Sequence, residues 1–285
     1  MKKSFLHSVI ITSLLWLMAC SPQQEAKVNV MTFNIRMDYA GDSLNSWKYR
    51  KDHVGKMLNY YEPDIVGMQE VVHNQLEDLK ARLPQHTALG VGRADGKEKG
   101  EYGPIFYKTA RFELLDYGNY GLSETPDSIG LRGWDAACER IVTWAILKDR
   151  QSGKKLACFN THFDHIGQVA RRESAHMLIE RRKEIAGEYP AIITGDFNAT
   201  PDSEIIKIIT NAEGIKDTRE VSAVVYGPQW TFHNFGRTPV ERRSLIDYVF
   251  VDHQIEVNRY CSINDTPDIG FLSDHNPVMV ALTIK

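Results

Sequence analysis

The sequence predicts an α/β fold, a four-layer α/β sandwich in which two packed, mainly antiparallel β-sheets are flanked by helices. Three observations lead there. Apolar runs of strand length recur from residue 28 to residue 284, stretches of helical period fall between them, and no Pro/Gly/Ser-rich linker, repeat or composition break divides residues 27–285. Elements of both kinds in one undivided stretch must bury their apolar faces against each other, and stacked layers do so. Periodicity by itself leaves other α/β layouts open; the polar motifs at the strand ends decide among them.

Residues 28–33 alternate between polar neighbours and read as a strand. In residues 47–61, Trp47, Val54, Met57, Leu58 and Tyr61 share one face at helical spacing, with Asn45 or Ser46 as a cap. Residues 64–68 form a second strand, and Leu76, Leu79 and Leu83 mark a second helix. The middle is rich in β-structure, with strands expected at 86–91, 105–107, 112–117, 141–147 and 156–160. Ala175, Leu178, Ile179, Ile185 and Ala186 place a helix within 168–187, followed by a short strand at 191–194. Thr200 as N-cap and Pro201 at the first helical position are expected to open a helix carrying Ile205, Ile208 and Ile209. Strands at 246–251, 255–260 and 278–284 close the chain, the last alternating so that one face is core.

With 42% hydrophobic and 25% charged residues the chain has the composition of a globular protein. Its first residues depart from that pattern. Lys2 and Lys3 precede an apolar run over 9–18, a length suited to an export signal and short for a membrane span. Leu17-Met18-Ala19-Cys20 is similar to the lipobox of bacterial lipoproteins. That resemblance implies a signal peptide at 1–19, lipidation of Cys20, a tether at 20–26, and a monomer held at the bacterial cell envelope, outer membrane or periplasm, by its lipid anchor. Removing residues 1–19 would leave 32 basic and 37 acidic residues, a formal net charge of −5. Such a chain lacks the basic excess of a non-specific nucleic-acid binder. Four cysteines are too few for a disulfide scaffold, none has zinc-site spacing, and Cys158 belongs to a buried strand.

Polar clusters stand at the ends of the expected strands: Asn34, then Gln69 and Glu70, His162 with Asp164, Asp196 with Asn198, and Asp247 with Ser273, Asp274 and His275. Strand ends present side chains to a shared edge. In Gly195-Asp196-Phe197-Asn198 the glycine is expected to permit a sharp exit from a buried strand, while the acid and the amide project the same way. A carboxylate there can hold a metal or water, and an amide can donate to a phosphoryl oxygen without adding negative charge. Glu70 offers the hard oxygen that Mg²⁺ prefers, and His275 with Asp247 as orienting partner suits general acid–base work.

Together these residues resemble the endonuclease/exonuclease/phosphatase family, which includes pancreatic-type deoxyribonucleases, abasic-site endonucleases, bacterial sphingomyelinases, deadenylases and inositol-polyphosphate phosphatases. The landmarks are Thr32-Phe33-Asn34-Ile35-Arg36, Gln69-Glu70, Asn160-Thr161-His162, Gly195-Asp196-Phe197-Asn198, Ile246-Asp247-Tyr248-Val249 and Ser273-Asp274-His275, in the family's order. The resemblance implies a Mg²⁺- or Mn²⁺-dependent hydrolase in which water attacks phosphorus directly. It makes Glu70 the main metal ligand, with Asn34 and Asp274 beside it. Asp196 and Asn198 align nucleophile and phosphate, His275 pairs with Asp247, and His162 is the second phosphate-facing histidine. The substrate would be a phosphate ester: a lipid head group, a sugar phosphate or a nucleic acid.

Three further residues are read as substrate contacts: Arg140 toward phosphate, Asp164 toward a substrate hydroxyl or toward His162, and Trp230, with Phe232, as a stacking surface. Each has a structural alternative, namely an ion pair, a turn and loop packing. Loops 97–103 and 227–235 are expected to rim the same edge. Two competing readings differ in class. His162, Asp164 and His165 could hold transition metals in a binuclear zinc site, although His53, His73 and His176 lack paired spacing. A surface binding protein could also retain the fold without the chemistry.

Overall fold

The structure, a computed structural model, describes residues 25–268 and 270–285. The expected signal peptide, Cys20 and most of the tether lie outside these residues. Along the chain the strands and helices are β1 (Ala26–Asn34), α1 (Trp47–Tyr61), β2 (Ile65–Gln69), α2 (His73–Arg82), β3 (His86–Leu89), β4 (Ile105–Lys108) and β5 (Phe112–Gly121). Then follow β6 (Ile141–Asp149), β7 (Lys155–His162), α3 (Gln168–Ala186), β8 (Ala191–Asp196), α4 (Glu204–Asn211), β9 (Ile215–Asp217), α5 (Thr218–Val221), β10 (Val225–Tyr226), β11 (Asp247–Asp252), β12 (Ile255–Ser262) and β13 (Val278–Ile284).

One sheet has the order β10-β12-β13-β1-β2-β4-β3 and the other β5-β6-β7-β8-β11-β9. Most neighbours are antiparallel; β1 with β2, β7 with β8 and β10 with β12 are parallel. Alternation along each strand builds three apolar layers. In β1, Val28 and Val30 enter the core between the sheets with Ile65, Leu147, Cys158, Ile192, Val249 and Val280. Met31 and Phe33 face the other way, toward Val54, Leu58 and Leu79 of α1 and α2. In the second sheet Ile192 points inward while Ile193 meets Leu178 of α3 and Ile206 of α4. Sheets covered on both faces account for the near-continuous apolar runs in the sequence, and the architecture is the four-layer sandwich.

Two local expectations are corrected. Thr200 does not cap α4: residues 200–202 form a turn, and Ser203 is the cap, its Oγ accepting from Ile206 N at 3.3 Å. Gly195 does not provide a turn either, since it lies within β8. A Cβ there would fall 2.7 Å from Thr161 O, so glycine is required for close strand packing. The strand ends at Asp196, and Asn198 beyond it has a φ of 47°.

Candidate active site

Sheet topology gathers the distant motifs. Parallel pairing sets Asn34 opposite Gln69 and His162 opposite Asp196, so those strands end at the same rim. Because β11 runs antiparallel to β8, its first residue, Asp247, also lies opposite Asp196. In the other sheet β13 begins beside Thr32, near the end of β1, which brings Ser273, Asp274 and His275 to the same place. The result is a cleft of about 760 Å³ whose lining includes Glu70, His162, Asp196, Asn198, Asp274 and His275.

Beneath the cleft a polar clamp joins the sheets. Gln69 Nε2 donates to Asn160 Oδ1 at 2.7 Å, Thr194 Oγ1 donates to the same oxygen at 3.0 Å, and Asn160 Nδ2 donates to Met68 O at 2.7 Å. Buried polar groups satisfied in this way fix the relation of the strands that carry them. Arg36, Glu70 and Asn198 have φ values of 59°, 60° and 47°, a left-handed conformation that L side chains rarely adopt. Such strain persists where surrounding contacts hold it, commonly at functional sites.

Asn34 Nδ2 donates to Glu70 Oε1 at 3.0 Å and to Asp196 Oδ2 at 2.9 Å, and its Oδ1 accepts from Arg36 N. In this arrangement Asn34 orients the two acids, with its oxygen turned away from them. Glu70 Oε2 accepts from Met37 N at 3.1 Å. Asp196 lies between the histidines, with Oδ2 3.5 Å from His162 Nε2 and 3.8 Å from His275 Nε2. His275 Nδ1 contacts Asp247 Oδ2 at 2.8 Å. Asn198 Nδ2 faces His162 Nε2 at 3.1 Å and donates to Phe163 O.

The electrostatics separate the roles. Burial and the nearby Asp247 carboxylate push Asp196 up to about 7. Burial would lower His275, but Asp247, reinforced by Asp196 and Asp274, outweighs it and holds the imidazole up to about 10. His162 is driven well below its ordinary value by burial and by Arg140 and Arg93, so it is neutral at pH 7. Burial also raises Asp274, whereas Glu70, although burial opposes it, is held low by Asn34, His275, Met37 N and Arg36. A buried cluster with more carboxylate charge than its cations offset, built of hard oxygen donors, has the chemistry of a divalent-cation site. Asp196, Asp247 and His275 also have ligand atoms within 4.8 Å of one another, but the His275 nitrogen nearest Asp247 is committed to that contact.

The substrate contacts read from sequence fare differently. Arg140 lines the cleft, where its Nη2 meets His165 Nδ1 at 3.1 Å. Asp164 does not line it. Its oxygens accept from Ile166 N, Gly167 N, Ala137 N and Cys138 N, with Arg140 Nε at 3.5 Å. Burial opposes ionisation, but these N–H groups and Arg140 hold the carboxyl well below the usual range. It therefore secures Arg140 and the turn before α3, and no lone pair is left for a substrate hydroxyl or a zinc ion. Trp230 is also outside the cleft lining, its ring covered by the Arg243 guanidinium at 4.3 Å. Phe232 and Phe235 are aromatic residues that line the site, Phe232 with its ring 5.0 Å from that of His275. Loop 97–103 contributes Glu101, bound to Arg93 through both oxygens at 2.7 and 2.8 Å and 3.9 Å from His162 Nδ1. Sequence reasoning placed that loop at the rim but gave Glu101, Arg93 and Arg36 no role, because their partners are remote in sequence.

The model of the endonuclease/exonuclease/phosphatase family matches residues 31–275. The chain belongs to this family. Endonuclease/exonuclease/phosphatase enzymes use divalent metals and act on phosphate esters. A solved member from Bacteroides vulgatus is 48% identical over 91% of this chain and all of its own, with a TM-score of 0.89. The mannosyl-6-phosphatase Bt3783 of Bacteroides thetaiotaomicron is 37% identical, covers 90% of this chain and 99% of its own, and has a TM-score of 0.86. Among curated relatives, the protein angel of Drosophila melanogaster is 22% identical over 93% of this chain and 82% of its own length. The chain spans 50% of a Mycosarcoma maydis Ccr4 exoribonuclease subunit and its match covers 26% of Drosophila nocturnin.

Proposed function

We propose that this chain is an exported, divalent-metal-dependent phosphoesterase that hydrolyses a sugar phosphate by direct attack of water. The observation that carries the reading is the single rim at which Glu70, Asp274, Asp196, His162 and His275 meet. Glu70 and Asp274 would hold Mg²⁺ or Mn²⁺, which when bound supplies positive charge to a phosphoryl oxygen. Asp196, poised at about 7 between the imidazoles, accepts the proton of the attacking water. The Asn198 amide and neutral His162 orient the phosphoryl group, and the charged His275 offsets negative charge developing on its oxygens. The sugar-phosphate assignment draws on the 37% identity to a mannosyl-6-phosphatase and on a cleft wall of Arg93, Glu101, Arg140 and His165, which suits a polar leaving group. Export and lipid anchoring draw on Lys2, Lys3, the apolar run and Cys20.

The test is metal-supplemented hydrolysis of sugar phosphates, p-nitrophenyl phosphate, phosphodiesters, phospholipids and DNA, alongside Asp196→Ala and His275→Ala. Sugar phosphates should give the highest kcat/KM, and each folded variant should lose a factor of about 10² to 10⁴. Near-wild-type turnover by both variants overturns the site assignment. Preference for nucleic acid or lipid overturns the substrate class, and a chelator-insensitive blank across the panel points to a binding protein.

A further inference from the structure

Arg36 brings a fixed cation to the pair of acids read above as the metal holders. Its Nη1 lies 3.8 Å from Glu70 Oε2 and its Nε lies 3.9 Å from Asp274 Oδ2. Asp42 grips the same guanidinium with both oxygens, at 3.0 Å to Nε and 3.2 Å to Nη2. The backbone beneath is pinned in its left-handed conformation: Arg36 N donates to Asn34 Oδ1, and Arg36 O accepts from Gln75 Nε2 at 2.9 Å and from Arg50 Nη2 at 3.2 Å. Asp42 is itself buried, at 6% exposure. A long, flexible side chain on a solvated loop would not hold this position unaided; strain and burial are spent on keeping one positive charge beside the carboxylates.

We propose that Arg36, clamped by Asp42, is a resident counter-cation of the Glu70–Asp274 pair that sets the affinity of the site for its divalent ion. This rests on the reading that Glu70 and Asp274 hold that ion. A guanidinium within 4 Å of both acids offsets their mutual repulsion in the metal-free chain and repels an arriving dication. Because the two charges would lie well within a Debye length of each other, salt screens the repulsion only in part. The chain thereby exchanges tight metal binding for a metal-free site that stays assembled. Arg36 is a positioning residue in this account, and its effect is read on the metal, separately from turnover.

Calorimetric titration of Mg²⁺ and of Mn²⁺ into the purified protein tests it, with folding followed by circular dichroism. Arg36→Gln should bind either ion at least about tenfold more tightly than wild type, since it removes a like charge from the ligand shell. Arg36→Lys, which keeps the charge, should stay within about threefold of wild type. Arg36→Met removes the same charge with a different side chain and should also bind more tightly; it stands as an independent test if Arg36→Gln does not fold. A folded Arg36→Gln or Arg36→Met with unchanged or weaker affinity overturns the proposal. If wild type binds neither ion, the assignment of Glu70 and Asp274 falls and this inference falls with it. If wild type binds and only the Arg36 series fails, the assignment stands and the counter-cation does not.

Discussion

Asp196 and His275 hold protons more tightly in the folded chain than in the unfolded one, for different reasons. Burial and Asp247 lift Asp196 from 3.8 to about 7. For His275, burial works downward from 6.5 and the contact with Asp247 at 2.8 Å overrides it, giving about 10. A native state that binds more protons than the unfolded state loses stability as pH rises. The Asp196 contribution is therefore lost between 3.8 and about 7, and that of His275, fully present below 6.5, is lost on the way to about 10. The metal-free protein should accordingly melt at a lower temperature at about pH 9 than at about pH 6, and saturating Mg²⁺ should flatten that slope, because a cation at the acids competes with their protons. Thermal melts across that range, with and without chelator, check the sign; a metal-free Tm that rises with pH would contradict these environments. At this scale the sequence disclosed identities and not neighbours. His162 and His275 look alike as histidines after strands, yet burial, reinforced by Arg140, keeps the first neutral, whereas Asp247 overrides the same burial and keeps the second charged.

Elements turn these residues into a site through the clamp between β2, β7 and β8. Gly67 is its tightest point: a Cβ there would lie 2.0 Å from Thr194 Oγ1 and 2.5 Å from Asn160 Oδ1. Gly67→Ala must displace Thr194 and Asn160, and Asn160 makes the hydrogen bonds to Gln69 and Met68 that join the sheets; overpacking of this kind costs about 1–3 kcal/mol. The same displacement moves Gln69, and with it Glu70, so kcat should fall together with stability. Urea unfolding paired with turnover measures both, and a variant with unchanged stability and kcat would show that the clamp does not set the site. The limits of α1 and β13 were legible in full because Trp47 and Tyr61 bracket the helix and β13 alternates along its whole length. The start of α4 was not: Thr200-Pro201 has the composition of a helix start, and only the turn at 200–202 moves the cap to Ser203. Asp164 and Trp230 take the structural alternatives read for them, a turn and loop packing; a residue near a strand end can face the cleft or turn behind it, and spacing does not say which.

At the scale of the whole chain, two expectations concern different ends of the molecule. Among the described residues no helix is long and apolar enough to cross a membrane; the proposed attachment at the envelope rests on Lys2, Lys3, the apolar run after them and Cys20. Multiple acyl chains hold a protein firmly where a single one binds weakly. In the native host Cys20→Ala should move the protein from the detergent-extracted membrane fraction to the soluble fraction with its specific activity unchanged. Fractionation and immunoblotting decide this, and an unaltered distribution would remove the lipid anchor from the account. The fold itself was foreseen as a sandwich once the motifs were weighed with the periodicity, and the two sheets with helices on both outer faces bear that out.

The sequence by itself determined which chemical groups are available and that they follow strand ends, because a strand's apolar alternation and the polar residues that terminate it are local properties of the chain. Tertiary structure alone decided which of those groups share a rim, which nitrogen or oxygen each one presents, and what charge it carries. Those outcomes depend on strand order and on burial: Asp247 meets Asp196 only because β11 pairs antiparallel with β8, and Arg36 reaches Asp274 only because β13 returns beside β1. Electrostatic energies follow distance and solvent exposure, and neither is written in the spacing of residues along the chain.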